Sequence, residues 1–127
     1  QAQVLVQHLF AQVGDLKHGG EEWQAAVQID DHPAVKHWVR NVHRTAWSYA
    51  LPTSTDMFYP DFVAELTDGR KLIVEYKGED RTDNRDSLEK RNIGARLQEI
   101  SNGSVVFLWA ERDRDGGVSR QIDIAIA

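Results

Sequence analysis

The sequence predicts an α/β domain: a mixed β-sheet flanked by helices, built in the order helix, three strands, helix, strand (an α-β-β-β-α-β core). Three observations lead there. Residues 62–76 hold two strand-like runs around Thr67-Asp68-Gly69. An amphipathic segment, Ser87 to Ile100, is followed at once by the apolar run Val105–Ala110, the pattern of a helix feeding a buried strand. A short helical period opens the core at Glu21.

Taken in order, Glu21 to Asp31 reads as a helix because Trp23, Ala26, Val27 and Asp30 lie three or four apart, with Ala25 and Ile29 beside them. Pro33 ends it. Val35 to Val42 mixes β-branched and aromatic residues with polar ones and reads as a strand. Trp47 to Leu51 offers a second limb before the polar turn Thr53–Asp56. In the hairpin, a two-residue loop sets Glu65 opposite Leu72 and Phe62 opposite Glu75. A three-residue loop with Gly69 left-handed sets Glu65 opposite Lys71, Ala64 opposite Leu72, Val63 opposite Ile73 and Phe62 opposite Val74. The second register joins opposite charges and apolar pairs, each favourable by a few tenths to ~1 kcal/mol, and is the one expected. Glu79–Asp86 is charged loop. In the following helix Leu88, Ile93, Leu97 and Ile100 form the apolar stripe, and Asn102-Gly103 closes it. Arg112–Gly117 reads as a turn, and Gln121–Ala127 alternates like a last strand or edge.

Composition bounds the rest. A length of 127 residues suits one domain, and 41% hydrophobic with 28% charged residues argues against wholesale disorder. Residues 1–13 carry a mixed pattern and are open to a second reading, as the remnant of a preceding domain. The start at Gln1 suggests a piece of a longer protein. The absence of cysteine excludes disulfides and thiolate metal sites. No apolar run is long enough to span a bilayer and no signal peptide opens the chain, so no membrane partner and a cytoplasmic location are expected. With 15 Lys+Arg against 20 Asp+Glu, the net charge of −5 is unlike that of a nucleic-acid coat protein. It leaves room for a site whose chemistry needs carboxylates.

The expected register supplies such a site. It places Asp61 opposite Glu75, and Lys77, two positions further on, shares the face of Glu75. Two carboxylates a few Å apart repel unless a cation lies between them. Hard oxygen donors of this kind select Mg²⁺, with Mn²⁺ as substitute. The plain alternative is a surface salt-bridge trio at a strand end. The five histidines make no metal-like spacing on one element. The four tryptophans read as core or half-core packing, and Arg81, Arg85, Arg91 and Arg96, interleaved with acids, read as a solvated face.

Tyr59-Pro60-Asp61, with Glu75-Tyr76-Lys77 beginning fourteen positions after the aspartate, resembles the PD-(D/E)XK nuclease motif. The longer text FYPDFVAELTDGRKLIVEYKG, with HPAVKHWVRN upstream and SLEKRNIGARLQE downstream, resembles the carboxy-terminal endonuclease domain of type III restriction enzyme Res subunits and related superfamily 2 helicase-nucleases. The resemblance covers roughly Gly20 to Trp109. It implies a restriction-endonuclease-like fold and Mg²⁺-dependent cleavage of DNA. It implies metal ligands at Asp61, Glu75 and the main-chain carbonyl of Tyr76, and a catalytic lysine at Lys77. A first-helix glutamate often reaches the metal in this family; Glu22 is the choice and Glu21 the rival. Lys90 is implied as a phosphate contact, and Gln98 is a loose match to a polar helper. Lys36, Arg40 and Arg44 offer a modest basic edge for the DNA backbone. No Walker-type motif occurs here, so the implied partners are DNA, a helicase or ATPase region of the same parent chain, a modification subunit, and a second copy for cutting both strands. A competing expectation is an inactive nuclease fold that docks DNA or a partner subunit.

Overall fold

The structure is a computed structural model, and it describes residues 20–41, 49–54, 56–78, 85–112 and 114–127. Residues 1–13, Trp47 and Ser48 of the expected limb, Arg44 and residues 79–84 of the expected charged loop therefore lie outside the described residues, whereas Arg85 and Asp86, expected in that loop, are helical. Helix α1 is Glu21–Asp31 and strand β1 is Val35–Arg40. The short strands β2 (Leu51–Pro52) and β3 (Met57–Phe58) pair with each other around the Thr53–Asp56 turn. Strands β4 (Phe62–Leu66) and β5 (Lys71–Lys77), helix α2 (Arg85–Ile100), strand β6 (Val105–Glu111) and helix α3 (Val118–Ile126) complete the chain. The expected α/β class and core order are present, with a third helix added.

The main sheet runs β1-β4-β5-β6. β4 is antiparallel to β1 and β5, whereas β5 and β6 are parallel. A parallel pair needs a long crossover, and α2 supplies it. The hairpin takes the three-residue loop. Leu66 N–H donates to Arg70 O at 2.8 Å, Gly69 has φ +92°, and the pairs are Phe62–Val74, Val63–Ile73, Ala64–Leu72 and Glu65–Lys71. Glycine at that left-handed position carries no steric cost.

Alternation gives the sheet two faces. Phe62, Ala64, Leu66, Leu72, Val74, Val106, Leu108 and Ala110 form one, packed with Trp38 against Ala25, Ala26 and Ile29 of α1 and Val118 and Ile122 of α3. The alanines let α1 lie close to the sheet. Buried Asp30 accepts the Trp38 indole N–H at 2.8 Å, and His32 Nε2 lies 2.7 Å from Asp123 Oδ1, tying the end of α1 to α3.

Two expectations about helices are corrected. Gln121–Ala127 is not a strand but the body of α3. Its buried face has helical spacing and not the alternation of the isoleucines: Val118, Gln121 and Ile122 are buried and Ala125 packs beside them, while Ile124 is 51% exposed. The far edge of β6 is also already occupied. Val105, Phe107 and Glu111 N–H donate to Ser101 Oγ, Gln98 Oε1 and Gln121 Oε1 at 3.1, 2.8 and 2.9 Å. In α2 the buried residues are Ser87 and Gly94, while Leu88 and Ile100 are 58% and 66% exposed. Phe107 decides this orientation, because a β-carbon at Gly94 would collide with its ring. The aliphatic stripe instead lines an open groove with Leu51 and Pro52. Among the described residues no helix is long and apolar enough to cross a membrane.

Candidate active site

The open end of the hairpin carries the site. β4 begins at Phe62, and the Tyr76 N–H points past that end of the strand. Asp61 Oδ2 accepts it at 2.8 Å. The C=O of a strand residue points to the same neighbour as its N–H, so the Tyr76 carbonyl faces this side too. Glu75 pairs with Trp109 across the parallel ladder and is 6% exposed. Lys77 Nζ lies 3.3 Å from Glu75 Oε2 and 5.3 Å from the centre of the Trp109 ring. Glu75 Oε1 is buried and meets no hydrogen-bond donor.

Electrostatics follow from this enclosure. Burial, and then the nearby Asp61, push the Glu75 carboxyl up to about 8; Lys77 and Lys90 oppose this. Burial also raises Asp61, offset by the Tyr76 N–H, by Glu75, and by the charges of Lys77 and Arg40. The pair titrates as a unit, and without a cation it keeps a proton through neutral pH.

Of the residues named from sequence, Asp61, Glu75, Tyr76 and Lys77 come together. Lys90 reaches the vicinity: its Nζ lies 5.5 Å from the Phe58 ring centre and 3.1 Å from Asp86 Oδ2, and its charge bears on Glu75. Arg40, at the end of β1, lies near the pair, while Arg44 of the expected basic edge is outside the described residues. Arg40 Nε is 3.6 Å from Glu22 Oε1, and its charge bears on Asp61. Glu22 comes from α1 and approaches the same Arg40. Glu21 bonds Arg112 at 3.0 Å and flanks Gly78. Among the described residues no group of three or more His, Asp or Glu side chains is placed to hold an ion. Gln98 is spent on the Phe107 N–H. Arg91, read as solvated, lies 5.4 Å from the Trp109 ring centre, so Trp109 gathers two cations beside Glu75. The parallel register that seats Trp109 there arises from a crossover and leaves no local signal in sequence.

The donor set is two enclosed carboxylates and a main-chain carbonyl. Hard oxygen donors with one unsatisfied buried oxygen fit Mg²⁺ or Mn²⁺, with water filling the remaining positions. Comparison with protein-family models, with curated proteins and with solved structures finds no match.

Proposed function

We propose that this domain is a metal-dependent nuclease that hydrolyses phosphodiester bonds in DNA, of the restriction-endonuclease kind, working in the cytoplasm as part of a larger restriction or helicase-nuclease protein. The observation that carries the reading is the enclosed Asp61–Glu75 pair, with its unsatisfied Glu75 oxygen and adjacent Lys77, at the open end of a hairpin in an α-β-β-β-α-β core. A salt-bridge trio on an open surface would not bury Glu75 to 6% or raise its carboxyl toward 8.

Asp61, Glu75 and the Tyr76 carbonyl would hold Mg²⁺, which supplies Lewis acidity and a water of lowered pKa when bound. Lys77 Nζ, 3.3 Å from Glu75 Oε2, would face the extra negative charge of an attacked phosphate, usually the largest catalytic contribution. Trp109 lies under that ammonium. Lys90 supplies a second positive charge for the DNA backbone, sequence-independent in its effect. A helicase or ATPase region, a modification subunit and a second copy for double-strand cutting are the partners this reading calls for.

Plasmid nicking by the 127-residue chain with Mg²⁺ or Mn²⁺, compared with Lys77→Ala, tests the proposal. Nicking by wild type that is lost with chelator and with Lys77→Ala supports it. Equal cutting by wild type and Lys77→Ala, or no cutting by either, refutes it.

A further inference from the structure

We infer that Asn41, the residue after β1, is a positioning residue for Asp61; this deepens the metal-site reading above and rests on it. Asn41 is 5% exposed, and its side-chain amide is engaged at both ends. Nδ2 donates to Tyr49 O at 2.7 Å and to Pro60 O at 2.8 Å. Oδ1 accepts from Tyr49 N–H at 2.8 Å. The Asn41 main-chain N–H donates to Asp61 O, also at 2.8 Å.

Two of these bonds bracket one residue. Pro60 O belongs to the peptide plane before the Asp61 Cα, and Asp61 O belongs to the plane after it. Each plane is rigid, so holding both fixes φ and ψ of Asp61 and with them the direction of its Cβ. Only the side-chain torsions then remain, and the Oδ2 bond to the Tyr76 N–H restrains them. Asn41 touches neither Glu75 nor Lys77 in any of these bonds. It acts through the backbone of Asp61, whereas the Tyr49 bonds anchor the amide itself.

The donor count sets the choice of variants. Asn41→Asp keeps the size but turns the Nδ2 donor into an oxygen facing two carbonyls, so two bonds become repulsions. Asn41→Ala removes the amide. The reporter is hydrogen exchange at the Tyr76 amide, read beside Leu72 and Val74, which point to the same side of β5. Full-chain Mn²⁺ binding, followed by electron paramagnetic resonance, is the second readout. Leu66→Ala is the control: Leu66 is 1% exposed at the turn end of the hairpin, so this variant loosens the fold away from Asp61.

Expected in both Asn41 variants is at least tenfold faster exchange at Tyr76 with Leu72 and Val74 unchanged, and at least tenfold weaker Mn²⁺ binding. Leu66→Ala is expected to melt earlier and bind Mn²⁺ like wild type. The inference is overturned if Tyr76 exchange is unchanged, if all three amides accelerate together, or if Leu66→Ala weakens Mn²⁺ as much. Failure of wild type to bind Mn²⁺ overturns the metal reading instead, and the Tyr76 amide still decides whether Asn41 positions Asp61.

Discussion

Replacing Glu75 with glutamine removes one charge from the carboxylate pair while keeping its shape. Burial and Asp61 raise the Glu75 carboxyl from an ordinary 4.5 to about 8. At roughly 1.4 kcal/mol per pH unit that rise is worth about 5 kcal/mol. Lys77 is 27% exposed on its side chain and brings solvent to the pair, and relaxation around buried charges reduces the figure to about 2–3 kcal/mol. A group whose proton affinity is higher in the folded state contributes fully below its unfolded value, and that contribution is lost as pH rises through the folded one. The Glu75 contribution in the metal-free domain is therefore complete below pH 4.5, and about 2–3 kcal/mol of it is lost by pH 8–9; Asp61, also raised by burial, acts in the same sense. Asp68, held low by Arg70, acts in the opposite sense but only below the ordinary value of 3.8. Glu75→Gln removes the Glu75 share of the loss and leaves the share of Asp61. In metal-free buffer, melting followed by circular dichroism should give equal Tm values at pH 5. At pH 8.5 the variant should lead by about 5–15 °C, at about 2–6 °C per kcal/mol. Saturating Mn²⁺ should then reverse the order, because only wild type gains binding free energy. A variant whose Tm falls with pH in parallel with wild type would refute the reasoning.

Other outcomes follow from the same geometry. Lys77→Ala should fold as wild type, since the side chain is partly exposed, and should lose at least about a hundredfold in DNA nicking, measured on supercoiled plasmid. Asp61→Ala should lose Mn²⁺-induced stabilisation and also expose the Tyr76 amide to exchange. Gly94→Ala should destabilise by about 1–3 kcal/mol through overpacking against Phe107, read from urea midpoints, although alanine is the better helix former. Mg²⁺-induced stabilisation of wild type should grow between pH 6 and 8.5, because the ion must displace the proton that Glu75 holds up to about 8.

How much of this was legible in the sequence depended on the range of the interactions. The hairpin register could be read because loop chemistry and cross-strand pairs lie within about fifteen residues of one another. Thr67-Asp68-Gly69 sets the loop, Arg70 N–H bonds Asp68 Oδ1 at 3.0 Å, and the placement of Asp61 beside Glu75 follows from counting. α3 is hidden in the sequence because Gln121–Ala127 taken alone alternates, and only Val118, three residues earlier, completes a helical face. The buried face of α2 depends on Gly94 meeting Phe107, a contact between residues whose types say nothing of it alone. The approach of Glu22 on α1 to Arg40 on β1 joins residues eighteen positions apart on different elements, which helical spacing alone does not reveal. Asn41 left no signal at all, since its partners, Tyr49 and Pro60, are eight and nineteen residues away in the chain.

Isothermal titration of Mn²⁺ into the chain at pH 8, beside the double variant Asp61→Ala/Glu75→Ala, bears most directly on the account. Saturable binding by wild type, with proton release and with no heat from the double variant, is the expected result. Equal heats from both proteins, or none from wild type at millimolar ion, would contradict it.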